Sequence, residues 1–266
     1  MISIRLPEHK RLAGILLLIS IMTGLWLALA PAGLQGKLLA IGYGVCHQIA
    51  SHTFSIQGKL LPLCSRCTGL FLGALATIAV LSSHARRGGF PKANLRWVLF
   101  AFLAFYAIDG INSTASIING LHGLYTPSNL LRLISGAGMG IALGAMLMSI
   151  WNSVLWTDAS EEPLLNSYRL LGICAASGAG MLLLVVLDLP LSYFPLAILS
   201  AVSVILLLTM VYTLLWTLAL KKDNTLNRWQ DAAWLFLLGG LTAMVQLGLM
   251  DGLRFALTGT WQGFML

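Results

Sequence analysis

Seven predominantly apolar runs alternate with short polar connections along the chain, at about 12–31, 67–84, 96–112, 130–156, 168–188, 193–219 and 232–256. Each is close to the roughly 20 residues that carry a helix across a bilayer. The pattern predicts an all-α, polytopic membrane bundle of about seven transmembrane helices, forming a single membrane domain over 1–266. The first run starts basic (Arg5, Lys10, Arg11) and ends Ala28-Leu29-Ala30, as a secretory signal does. Its length and the position of Pro31 fit a retained anchor better. Residues 32–66 are too many for a tight turn and too apolar for a solvated loop. They predict an interfacial or re-entrant helix near 34–49, then an irregular stretch through Gly58 to Pro62, with Pro62 opening the second span. The third span is expected to end at Asp109-Gly110, before a polar loop over 113–129. Residues 168–256 form a three-span C-terminal extension.

Composition agrees with this reading: 58% of residues are hydrophobic and 9% charged, against about 25% charged in a soluble domain. The net charge of +7 does not indicate nucleic-acid binding, because the basic residues fall in small clusters between apolar runs. They act instead as topology signals. With the N-terminus in the cytoplasm, the inner segments hold Arg5, Lys10, Arg11, Arg86, Arg87, Lys92, Arg96, Arg169, Lys221, Lys222 and Arg228. The outer segments keep Lys37, Lys59, Arg66, Arg132 and Arg254. This bias has the expected sign for a multi-pass protein of the inner (plasma) membrane. Asp109, Asp188 and Asp251 then fall at the outer ends of apolar runs, where ionisable groups are costly and face a cavity or a partner.

The densest chemistry lies on that outer side. Cys46-His47-Gln48 is followed by Cys64-Ser65-Arg66-Cys67, so three of the chain's four cysteines sit within 22 positions. Cys64 and Cys67 are spaced to share one ion from a first helical turn. Cys46 supplies a third thiolate, and His47, His52 or His122 a fourth ligand, with His47 preferred. A three-cysteine, one-histidine set suits zinc. Two other readings compete. A C-x-x-C at a helix N-terminus beside Arg66 suits a membrane thiol–disulfide oxidoreductase, which would use a quinone. A plain disulfide from Cys46 to Cys64 or Cys67 would staple the loop to the helix. Lone Cys174 reads as a small buried apolar residue.

A second constellation flanks the first. Asp109-Gly110-Ile111-Asn112 closes the third span, and Pro127-Ser128-Asn129-Leu130-Leu131-Arg132 opens the fourth. Ser128 is the expected N-cap. Asn129 and Arg132 share a face, and Asp109 is placed to pair with Arg132. Beside a metal, Asp109, Asn129, Arg132 and Arg66 would line a pocket, with Asp109 as base or as partner to the histidine. A salt bridge joining two spans explains Asp109 and Arg132 equally well. Gly136, Gly140 and Gly144 have the spacing of close helix packing.

These residues also carry a resemblance. Cys46-His47-Gln48, Thr53-Phe54, Gly58, Pro62 and Cys64-Ser65-Arg66-Cys67-Thr68-Gly69 resemble the first signature of a polytopic membrane family of bacteria and archaea. That family is catalogued as domain of unknown function 2085. Asp109-Gly110 and Ser128-Asn129-Leu130-Leu131-Arg132 with Gly136 resemble its second signature. Where the family often places a Gln after Asp-Gly, this chain has Ile111-Asn112. The resemblance covers about 40–145, leaves the last three spans outside and implies no particular activity. An enzyme with a water-accessible metal, a closed structural metal site and a redox dithiol all stand open. The partners expected are the lipid bilayer and an unidentified small-molecule or lipid substrate.

Overall fold

The computed structural model describes residues 8–119 and 123–264. Eight α-helices account for most of them: α1 Glu8–Leu29, α2 Gly33–Tyr43, α3 Ser65–Ser82, α4 Ala93–Asn119, α5 Asn129–Leu155, α6 Tyr168–Val186, α7 Tyr193–Ala219 and α8 Trp229–Thr258. All but α2 are long and apolar enough to cross a membrane, giving seven candidate spans among the described residues. The expected all-α polytopic bundle is therefore present, with span limits within a few residues of those read from hydropathy. Polar side chains set several helix starts. The Ser128 and Ser167 hydroxyls accept from Leu131 N at 3.2 Å and Leu170 N at 3.3 Å. At the far end of α8, Gly259 closes the helix in the left-handed conformation at φ 67°.

Helix α5 is the hub. Of its span 72% is buried, against none of the α1 span. Its main partner is α3, and glycines explain why. A Cβ on Gly136 would overlap the Arg66 carbonyl, one on Gly140 the Leu70 carbonyl, and one on Gly144 would lie 2.9 Å from the Ala74 carbonyl. In return, Gly69 and Gly73 of α3 meet the Leu133 and Ala137 carbonyls of α5. Lipid tails are as apolar as leucine, so helices associate in a bilayer through such close backbone approach. Around this pair, α4 and α6 pack on α5 and α3, α7 packs on α3 and α8, and α1 packs along α8.

The connections gather at two ends. At one, β3 (Arg87–Gly89) pairs in parallel with β4 (Ser160–Pro163), Arg86 holds Asp158, and Thr157 N reaches Leu226 O. At the other lie the 44–64 loop and the C-terminal ends of α4 and α8. There β1 (Ser55–Ile56) and β2 (Lys59–Leu60) form a hairpin whose turn residues, Gln57 and Gly58, both have positive φ (50° and 74°). The stretch through Gly58 is therefore not irregular. The helix expected near 34–49 is shorter, ending at Tyr43.

One boundary differs more. Helix α4 passes through Asp109-Gly110 and ends at Asn119, so the polar loop shrinks. Thr114 and Ser116 bond back to the Gly110 and Asn112 carbonyls at 2.9 Å, which lets hydroxyl residues continue a helix toward its polar end. His122, one of the three candidate fourth ligands, lies outside the described residues.

Candidate metal centre

Two turns of chain bring the thiols together. After α2, Cys46 N bonds to Gly42 O at 2.8 Å. Gln48 then adopts a left-handed φ of 52°, and its amide donates to Leu39 O and Pro62 O, both at 2.8 Å. That clamp draws the 62–64 strand against the end of α2. It also requires Gly42, since a Cβ there would overlap the Pro62 carbonyl. Cys64 is the N-cap of α3, and its N–H donates to Cys46 Sγ at 3.2 Å.

The ligand atoms of Cys46, His47 and Cys64 lie within 4.8 Å of one another, close enough to hold one metal ion. Cys67 is not in this group of three, but it packs against Cys46 and Cys64 from the first turn of α3. All four cysteines are free thiols, and Cys174 is buried elsewhere among apolar side chains, as expected. Contact with the Cys64 thiol, then with that of Cys67, makes Cys46 acidic; the same contact with Cys46 pushes Cys64 up. Burial lowers His47 below its ordinary value, the Cys46 thiolate opposes that, and Arg66, Arg132 and Arg254 add to it. Burial, then Arg132, brings His52 down to about 4. Both imidazoles are therefore neutral at pH 7, the form that ligates metal. Their rings stand edge to face, 5.7 Å apart.

His47 carries a constraint. Its Nδ1 accepts Ile49 N–H at 3.0 Å. This leaves the proton of the neutral ring on Nε2, so ligation through either nitrogen sacrifices the Ile49 bond, worth about 1 kcal/mol.

The second constellation corrects the expected pairing. Asp109, fully buried, pairs with Arg66 and not with Arg132. Arg66 Nη2 donates to Asp109 Oδ2 at 2.5 Å, to Asp109 O at 3.0 Å and to Ser113 Oγ at 2.9 Å, and Nε donates to Oδ2 at 3.0 Å. Ser135 Oγ reaches the same Oδ2 at 3.2 Å, and Tyr125 OH donates to Oδ1 at 2.8 Å. Arg66 lies one residue before Cys67 on α3, within reach of α4, whereas Arg132 points along α5. Burial, with the Asp109 bond, pushes the Tyr125 phenol up to about 12. Arg132 Nη1 holds Asn129 Oδ1 at 2.9 Å, and Asn129 Nδ2 holds Ser51 O at 3.1 Å. Arg132 is only 7% exposed, and its Nε has no hydrogen-bond partner among the described residues. Asn112 fastens the loop to α4, donating to Tyr125 O at 2.9 Å.

These contacts occupy the part of the chain that the comparisons single out. Residues 46–146 match the family described as predicted membrane protein (DUF2085). The resemblance drawn from the two signatures is thus confirmed over that segment, which runs from Cys46 through the glycine face of α5. An uncharacterized protein of Methanothermobacter thermautotrophicus is 29% identical over 111 residues, covering 42% of this chain and 91% of that relative. Uncharacterized protein MJ1492 of Methanocaldococcus jannaschii is 28% identical over 119 residues, covering 45% of this chain and 71% of that relative. No solved structure matches the chain.

One contact reaches outside the matched segment. Arg254 of α8 donates from Nη1 to Tyr43 O at 2.9 Å and Cys46 O at 2.6 Å, and from Nη2 to His47 O at 3.1 Å. Its guanidinium stacks 3.9 Å from the Tyr43 ring centre. Phe264 N adds a bond to His47 O at 3.1 Å. The last span thus fixes the backbone of the Cys-His pair. The sequence puts Arg254 at the same end of the spans as the thiols, and the contacts agree, but a lone cation near the end of an apolar run carries no signal of this task. Gln48, Tyr125 and Ser135 were likewise not assigned roles.

Proposed function

We propose that the chain is a zinc-binding integral membrane protein whose ion is held by Cys46, Cys64 and Cys67, with His47 at the fourth position, on the extracytoplasmic face of the plasma membrane. The observation that carries this reading is the convergence of Cys46, His47 and Cys64 within 4.8 Å, with Cys67 packed against them. Charge supports it too. Zinc with three thiolates and a neutral imidazole bears one net negative charge. Arg132, buried and without a carboxylate partner among the described residues, supplies the balancing cation.

The fourth position favours an open, enzyme-like site over a closed structural one. Zinc does chemistry where one position can be given to water or substrate. His47 is the ligand whose coordination breaks an existing hydrogen bond, so it is the one most readily exchanged. In this reading Asp109 is a positioning residue, because both its oxygens are already engaged, and with Asn129 and Arg66 it holds the site's frame. The substrate of such a site would be a small molecule or a lipid.

The test is elemental analysis of the detergent-purified chain beside Cys64→Ser/Cys67→Ser. The expected result is about one zinc per chain, lost in the variant. A second reading, thiol–disulfide exchange, is favoured by the acidic Cys46 thiol in contact with two others. Closing a disulfide there would release two protons and pass two electrons to a quinone. Absence of zinc, together with reversible formation of a Cys46–Cys64 or Cys64–Cys67 disulfide, would establish that reading and remove the first.

A further inference from the structure

A cavity of about 400 Å³ lies at the β3–β4 end of the bundle, between the end of α3, strand β3 and the start of α6. Its size falls in the range of small-ligand sites, roughly 300–1,000 Å³. Backbone bonds fix its shape. Leu164 N donates to Gly89 O at 3.3 Å and Lys92 N to Leu165 O at 3.4 Å, and both leucines are buried. The loop before α6 is thereby docked on β3.

The polar lining of this cavity favours an anion. It consists of His84, Arg87, Asn166, Ser167 and Arg169, and no carboxylate lines it among the described residues. Arg169 has no ion-pair partner among those residues. Arg87 has one, Glu162, at 3.3 Å, but that carboxylate is 66% exposed, so water weakens the pair. The Ser167 hydroxyl accepts Leu170 N–H and keeps its own proton to donate. Two guanidinium forks from different elements, meeting at one cavity, match the oxygens of a phosphate.

Helix α6 indicates what carries that phosphate. Arg169 and Ile173 are four residues apart and share a face. Ile173 lines the cavity and is 45% exposed. Ala176 and Gly180 continue the same face; both are exposed, and a Cβ on Gly180 would meet nothing within 4 Å. Because α6 is a candidate span and Arg169 is its second residue, the cation lies at headgroup level with an open apolar track below it. Basic pockets between membrane helices hold acidic head groups in this way. We propose that the cavity binds the phosphate head of an acidic phospholipid, clasped by Arg87 and Arg169, with an acyl chain along Ile173, Ala176 and Gly180.

Native mass spectrometry of the full chain tests this, with dioleoylphosphatidylglycerol against dioleoylphosphatidylcholine. The two share acyl chains and a phosphate, but only the first has a net negative charge. The glycerol lipid should bind about tenfold more tightly, the scale of one charge-assisted hydrogen bond. Arg169→Gln, at an exposed helix position that tolerates glutamine, should remove most of that preference. Lys222→Gln removes an exposed cation at the same end but outside the cavity, and should leave the preference intact. Displacement of the glycerol lipid by millimolar inorganic phosphate would assign the cavity to free phosphate as well; retention of the lipid would assign it to the phospholipid. Equal binding of the two lipids by the native chain, a preference unchanged in Arg169→Gln, or an equal loss in Lys222→Gln would overturn the proposal.

Discussion

At the residue scale, polar atoms below the surface are engaged in ways that fix backbone as much as chemistry. Asp109 gathers Arg66, Ser135 and Tyr125 around one carboxylate and so ties α3, α4, α5 and the loop after α4 together. Asp109→Ala would leave the Arg66 guanidinium largely buried without its counter-ion. It should cost about 3 kcal/mol, seen as a lowered melting temperature in detergent, and Arg66→Ala should cost no more than this. Tyr125 gives a pH signature. Its phenol is pushed up to about 12, so the fold favours the protonated form. That contribution is complete below the ordinary tyrosine value near 10 and is lost as pH rises from about 10 to 12. The melting temperature of the native chain should therefore fall faster across that window than that of Tyr125→Phe. Arg254→Gln keeps some donors but loses the three-carbonyl clamp. It should weaken zinc binding about tenfold or more, measured by competition with a chelator, while all four proposed ligands stay in place.

At the element scale, α3 and α5 are held by matching glycines rather than by interlocked large side chains. Gly140→Val would push its Cβ into the Leu70 carbonyl on α3 and force the helices apart. A loss of about 3 kcal/mol or failure to fold is expected, read by thermal unfolding. The same substitution at Gly172, where a Cβ meets nothing within 4 Å, should change little. The separation of α3 from α5 would also move Cys64 and Cys67 from Cys46, so zinc content should fall together with stability in the Gly140 variant.

At the whole-molecule scale, the loops sort to two ends, with the thiols at one and the β3–β4 pair at the other. The excess of lysine and arginine in the connections of the second end is the reason to place the thiols outside the cell. A membrane-impermeant maleimide should label a cysteine placed at exposed Gln57 in intact cells, and one placed at exposed Asp223 only after the membrane is opened. The reverse pattern would invert the topology. The last three spans are not an appendage to the site, because α8 delivers Arg254 to it.

The sequence alone determined the helical spans, because the bilayer demands long apolar runs with every backbone group paired internally, and hydropathy reports both directly. The grouping of Cys46, His47 and Cys64 was also legible, since thiols and imidazole in a polar break are unusual in a chain with 9% charge. Ser128 and the α5 glycines followed from local rules of capping and spacing. Partnership was decided only by the tertiary structure. Asp109 takes Arg66 rather than Arg132, Gln48 clamps two carbonyls far apart in the chain, and Arg254 reaches back some 200 residues to Cys46 and His47. Such pairings depend on the angle and register at which helices pack, and those are set by glycine contacts across the bundle that no single segment encodes.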